Sequence, residues 1–152
     1  MIKMVHTIDI VSVWVDCFEK INDVDSWPSF MPAVTHGKKI RSLGGTEVVQ
    51  ITANFNDSTR SWQSKRKISR DTQTIKFEQE NPKAPIEVMR GYWEFEQNGW
   101  FTHVKLVHEF RATNLSYEDA IKTSIRSNAK SDLLGLKNII QKGIKLDQSK
   151  SA

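Results

Sequence analysis

The sequence predicts an α+β fold: a curved antiparallel sheet of about seven strands wrapped around a long C-terminal helix, with an interior cavity. Three observations lead there. Stretches of alternating apolar and polar residues recur between Val34 and Phe110, separated by turn-forming residues. A helical apolar stripe closes the chain after Ser116. Only that last segment is long enough to cover the concave face of such a sheet, and a curved sheet gripping a helix leaves space between them.

Each element follows from local pattern. Lys3 to Val11 reads as a strand, with Ile8 and Ile10 on one face and Thr7 and Asp9 on the other. Val13 to Asn22 suits a short amphipathic helix that packs Cys17 inward. Val24 to Pro32 suits a second, with Ser26 as cap, Pro28 in the first turn and Pro32 at the end. Strands follow at Val34–Leu43 and Thr46–Phe55, joined by Gly44-Gly45. Asn56-Asp57-Ser58 turns the chain into Arg60–Ile68, and Asp71-Thr72 turns it into Thr74–Asn81. Two prolines make Asn81 to Pro85 a loop. Glu87–Gln97 puts Met89, Gly91, Trp93 and Phe95 on one face. Asn98-Gly99 then forms a hairpin into Trp100–Phe110, whose inner face carries Trp100, Thr102, Val104, Leu106, His108 and Phe110. Ser116 and Asp119 suggest the cap of a helix of about seven turns, from Tyr117 toward Lys145. Ile121, Ile125, Asn128, Asp132, Leu136 and Ile139 share its inner face. With no linker or repeat, residues 1–146 read as one domain and 147–152 as a flexible tail.

Bulk properties exclude several classes. The chain has 152 residues, 38% hydrophobic and 26% charged, as globular proteins do. It shows neither an apolar run of spanning length nor a leader, and the lone Cys17 suits a reducing cytoplasm. The net charge of +4 is scattered, without a zinc-finger or RNA-binding motif, so nucleic acid is a weak reading; an acidic protein partner fits equally well. No metal motif is present: His103 and His108 face opposite sides of a strand. No glycine loop suits a phosphate or a cofactor, and Cys17 has no neighbouring base.

The informative stretch is Arg60–Ile68. Trp62 and Ile68 mark one face as inner, which turns Ser64 and Arg66 inward with them. A buried guanidinium is costly unless paired, hydrated or meeting a ligand. The plain alternative is an edge strand whose arginine reaches out to water. His108 and Asp132 also fall on inner faces. Together they could form an acid/base unit, a carboxylate fixing the tautomer of a histidine. Separately, His108 could be a hydrogen-bonded core residue and Asp132 could bond Asn128 or backbone. Trp62, Trp93 and Trp27 are either ordinary core or flat walls for an extended ligand.

These residues resemble the helix-grip fold of the Bet v 1 and START-related superfamily. Within it the chain resembles polyketide aromatase/cyclases of the tetracenomycin type. The resemblance rests on Asn22-Asp23-Val24-Asp25-Ser26-Trp27-Pro28, Trp62-Gln63-Ser64-Lys65-Arg66, Val88-Met89 with Trp93, and His108-Glu109-Phe110. It implies that a poly-β-ketone, tethered to an acyl carrier protein of a type II polyketide synthase, is cyclised by an aldol reaction and dehydrated to an aromatic ring without a cofactor. It implies pocket roles for Trp27, Trp62, Trp93, Met89 and Asn128, and chemical roles for Ser64, Arg66, His108 and Asp132. Some relatives carry glutamine at the His108 position and asparagine at the Asp132 position. Some carry a pocket tyrosine where Val34 is the nearest match here.

The mechanism this suggests has Arg66, with Ser64, holding a ketone oxygen while His108, oriented by Asp132, moves protons. Arg66→Ala would then abolish directed cyclisation in a protein that still folds. The leading rival is a non-catalytic binder or carrier of a lipid, quinone or hormone-like ligand. A second rival is a protein-interaction module without a small-molecule cavity.

Overall fold

A computed structural model describes residues 1–55 and 58–151, with side chains through residue 143. Strands β1 (Ile2–Val11), β2 (Val34–Leu43), β3 (Thr46–Phe55), β4 (Ser58–Ser69), β5 (Thr74–Glu80), β6 (Ile86–Asn98) and β7 (Phe101–Ala112) make one sheet. Its order is β1-β7-β6-β5-β4-β3-β2, antiparallel throughout. Helix α1 (Trp14–Asn22) and a 3-10 segment (Val24–Ser29) carry the chain from β1 to β2, at the opposite edge. Helix α2 (Glu118–Ser151) packs across β1 and β7.

The alternation works as expected where a strand has one wet and one dry face; β2, exposed on both faces after Gly37, is the exception. On β7, Thr102, Val104, Leu106 and Phe110 are buried, and Trp93 and Phe95 on β6 face the same interior. From α1, Cys17, Phe18 and Ile21 are fully buried, and the Phe18 ring meets Phe95 edge-on at 5.5 Å. α2 comes close to the chain after the 3-10 segment because Gly135 has no side chain. A Cβ there would run into the Phe30 carbonyl oxygen.

Four expectations change. Trp100, placed inside by alternation, is 84% exposed. It sits in the turn before β7 begins, where Gly99 adopts φ +60°, so the two-residue period has not yet started. The turn before α2 is capped by Asn114, whose Oδ1 accepts from the Ser116 N–H at 3.0 Å, rather than by Ser116. Ser26 lies inside the 3-10 segment, its hydroxyl donating to the Asp23 carbonyl. α2 continues past Lys145 to Ser151. The expected turn residues Asn56 and Asp57, and the side chains of the expected tail 147–152, lie outside the described residues.

β4 is flanked by β3 and β5, so the Trp62–Arg66 stretch is not at an edge. Arg66 is 3% exposed and cannot reach bulk water. Its partners must be internal.

Candidate functional site

A cavity of about 1130 Å³ lies between the sheet and α2. It exceeds the usual range for small-molecule pockets, roughly 300–1,000 Å³. All nine residues singled out from the sequence border it. β4 supplies Trp62, Ser64 and Arg66; β6 supplies Met89 and Trp93; β7 supplies His108. Asn128 and Asp132 come from α2, one helical turn apart, and Trp27 from the 3-10 segment. The exposed residues Ser58, Thr59, Arg60, Lys83 and Ala120 mark the mouth.

Arg66 does not stand free in this cavity. Its Nη1 donates to the Ile21 carbonyl at 3.2 Å, and its Nη2 donates to the Asn22 carbonyl at 2.8 Å and to Glu47 Oε2 at 3.0 Å. The last carbonyls of α1 have no helical partner, and the helix dipole makes them attractive to a cation. Trp27 Nε1 donates to the same Ile21 oxygen at 3.0 Å. Arg66 and Trp27 thus latch the end of α1 to the sheet. Burial works against the guanidinium charge, and Glu47 offsets that effect. Of five N–H donors, the buried Nε–H and one Nη1–H remain without a protein partner among the described residues. Arg66, expected to hold a ketone oxygen, thus spends most of its donors on the end of α1 and on Glu47.

The aromatic walls are packed in place. Trp93 is 4% exposed and stacks on Phe95, the planes 6° apart. Trp62 leans on Phe55 with centroids at 5.9 Å. Ser64 is buried opposite Gln79 in the β4–β5 ladder, so two polar side chains meet on one wall.

The His108 ring contacts Phe77 edge-on at 5.6 Å. Between them in the sheet lies Gly91, the register partner of both. A Cβ at Gly91 would meet the Phe77 ring at 2.8 Å and run into the Val107 carbonyl oxygen. Glycine here lets the phenyl ring cross over to the imidazole. Gly91→Ala is expected to destabilise the protein by about 1–3 kcal/mol, the usual range for forced overpacking. Urea denaturation would measure it, and an unchanged midpoint would contradict the close approach.

His108 and Asp132 share the cavity, yet no hydrogen bond or ion pair joins them among the described residues. The expected His–Asp unit is thus absent as a contact, although both residues border the cavity. Burial dominates each group separately. The pKa of Asp132 is pushed up to about 7 by desolvation. It is only half-buried by surface area because its remaining surface faces the cavity. The pKa of His108 is pushed down to about 4 by desolvation first and by His6 second. At neutral pH Asp132 exchanges protons readily and His108 is a neutral imidazole.

Several bordering residues were missed. Phe77 and Gln79 continue the Ile75 face of β5, a signal present in the alternation. Ser124 lies one turn before Asn128 on α2. Among the described residues no group of His, Cys, Asp and Glu side chains converges as a metal site. No helix among them is long and apolar enough to cross a membrane.

A seven-stranded antiparallel sheet closed over a large, mostly apolar cavity by a C-terminal helix defines a helix-grip fold of the Bet v 1/START type. The chain belongs to the family described as polyketide cyclase/dehydrase and lipid transport, which it matches over residues 16–132. It is 28% identical over 134 residues to the actinorhodin polyketide synthase bifunctional cyclase/dehydratase of Streptomyces coelicolor, covering 88% of this chain and 42% of that protein. A granaticin polyketide synthase bifunctional cyclase/dehydratase of Streptomyces violaceoruber is 27% identical over 90 residues, covering 59% of this chain and 28% of that protein. The chain thus spans less than half the length of these relatives. Among solved structures, the Zhui aromatase/cyclase from Streptomyces sp. R1128 superposes with TM-score 0.87 at 15% identity, covering 93% of this chain and 94% of that one. The di-domain aromatase/cyclase BexL superposes with TM-score 0.80 at 24% identity, covering 91% of this chain and 46% of that one. At these identities the superpositions establish the fold.

Proposed function

We propose that this protein is a polyketide aromatase/cyclase. It closes the first ring of a carrier-protein-tethered poly-β-ketone by a regiospecific aldol reaction, then dehydrates and aromatises it, in the bacterial cytoplasm. The observation that carries this reading is one chamber that combines aromatic walls with a buried carboxyl group of pKa about 7. The family and the cyclase/dehydratase relatives support the same reading.

A methylene between two ketones is acidic enough for a carboxylate to deprotonate. Ionised Asp132 takes that proton, and the enolate carbon attacks a second carbonyl to form the carbon–carbon bond. The new alkoxide is protonated. A second proton loss, with departure of that oxygen as water, gives the double bond, and tautomerisation completes the ring. A group with pKa near the working pH serves as base in one step and acid in the next. Neutral His108 offers a hydrogen bond to carbonyl or alkoxide oxygen, since its Nδ1 is sealed and Nε2 is the nitrogen left to meet the cavity. The unpartnered Nη1–H of Arg66 can add to this, its Nε–H being sealed. The tryptophans hold the chain folded so that the reacting carbons meet. Arg60 and Lys83 at the mouth suit an acidic carrier protein, the proposed partner together with other synthase components.

Reconstitution with a minimal type II synthase and product identification is the test. A shift from shunt products to a defined first-ring product is the expected result. The same shunt products with and without the protein would favour non-catalytic binding, a reading that the lipid-transport branch of the family also allows. Within that assay, His108→Gln is expected to retain most turnover, since the amide keeps a neutral hydrogen bond. His108→Ala should lose about tenfold or more. Equal loss in both variants would restore His108 as the proton carrier.

A further inference from the structure

The apolar interior is divided. A large cluster includes Phe18, Phe95, Leu106 and Leu136, with Ile8 packed against it. A smaller one holds Phe110, Ile121 and Ile125, with Ile2 and Met4 packed against it. On the inner face of β1, the residue between Met4 and Ile8 is His6. On the inner face of β7, the residue between Leu106 and Phe110 is His108. Two imidazoles occupy the seam between the clusters.

The register brings them together. Met4 pairs with His108 and His6 pairs with Leu106, so the histidines are diagonal neighbours on one face of an antiparallel pair. Aromatic side chains reach one another at that spacing. Each has its Nδ1 buried without a hydrogen-bond partner among the described residues. The charged groups around them are unequal. From α2, Lys130 and then Arg126 act on His6 by charge. His108 faces His6 from β1, uncharged Gly91 and Phe77 from β6 and β5, and Asp132 only across the cavity.

We infer that His6 is the positioning partner of His108: the two imidazoles form one unit that accepts at most one proton, and His6 with its cationic surroundings keeps His108 a neutral ring toward the cavity. Two adjacent imidazolium ions in a poorly hydrated seam would repel one another, and the arginine and lysine beyond His6 add to that repulsion. Burial and coupling act in the same direction on His108. The pairing replaces the one expected with Asp132. Its catalytic meaning rests on the cyclase reading; its test does not.

The experiment is an NMR titration of imidazole nitrogens in the whole chain, for wild type, His6→Gln, His108→Gln and Arg126→Gln. Wild-type His108 is expected to stay neutral above about pH 5. His6→Gln should raise the His108 midpoint by about 0.5 unit or more, whereas His108→Gln should leave the His6 midpoint within about 0.2 unit, because His6 takes its proton at higher pH while His108 is still neutral. Arg126→Gln, a surface change, should raise the His6 midpoint without disturbing the seam, and it keeps the test open if a histidine variant unfolds. A raised His108 midpoint in His6→Gln supports the unit. A His108 midpoint unmoved within about 0.2 unit in folded His6→Gln overturns it. Absence of turnover with every synthase, alongside that His108 shift, would reject the cyclase reading and leave the pair standing.

Discussion

Arg66→Ala is expected to destabilise the protein by about 3 kcal/mol or more, the usual cost of removing one partner from a buried ion pair. The deleted guanidinium leaves the Asn22 carbonyl without its 2.8 Å donor and Glu47 without its 3.0 Å partner. Ile21 keeps one donor, from Trp27. Glu47 is 22% exposed at the side chain and still meets Lys39 at 3.5 Å, so water and lysine recover part of that loss. The deletion also opens a hole beside α1. Chemical denaturation would read the effect as a lower midpoint. Arg66→Lys should fall between wild type and alanine, because one ammonium cannot reproduce the forked geometry. Stability within about 0.5 kcal/mol of wild type would remove the latch from this account. The consequence for enzymology is direct. Lost activity in Arg66→Ala does not by itself assign a chemical role, since the end of α1 and Trp27 shift with it. Glu47→Gln loosens the same latch from a residue that does not border the cavity. Equal loss of turnover there would identify positioning rather than oxygen binding.

Asp132→Asn should lower turnover by about 10² or more, the scale of a lost general acid/base. It should also abolish the limb of the pH–rate profile near 7. The same variant should change the pH dependence of stability. The folded-state pKa of about 7 stands above the ordinary 3.8. Between those values the folded chain keeps a proton that the unfolded chain has released, so stability falls as pH rises through that window. About three pKa units correspond to at most about 4 kcal/mol at pH 8. Asparagine removes that penalty, so the variant should be more stable than wild type at pH 8 and nearly equal to it at pH 4. A variant less stable at pH 8 would show that the carboxylate has a partner holding its charge. Loss of activity with a gain in alkaline stability would mark Asp132 as a residue kept for chemistry.

The fold was legible because its signals are local. Period-two alternation identified the strands, Asn98-Gly99 and Gly44-Gly45 the hairpins, and the spacing from Ile121 to Ile139 the inner face of α2. Trp100 shows the limit: alternation holds only where the ladder has begun. The cavity lining was legible for the same reason. An inward position on a strand that faces a covering helix has little choice but to border the space between them.

What each residue does there was not legible. Sequence alone determined that Trp62, Ser64, Arg66, Trp93, His108 and Asp132 point into one interior, because facing direction depends on the period of each element. The tertiary structure decided whom they meet. It brought the carbonyl end of α1 to Arg66, from residues 45 and 44 positions earlier in the chain. It left His108 without a bond to Asp132 and set His6 diagonally beside it instead. Those outcomes depend on register, helix placement and cavity width, which arise from packing across the whole chain. Proton affinities follow from them, since desolvation and neighbouring charge act through space. An inward arginine that looked like a substrate ligand became first a clamp on a helix end, and the carboxylate expected to orient a histidine became the group that titrates near neutrality.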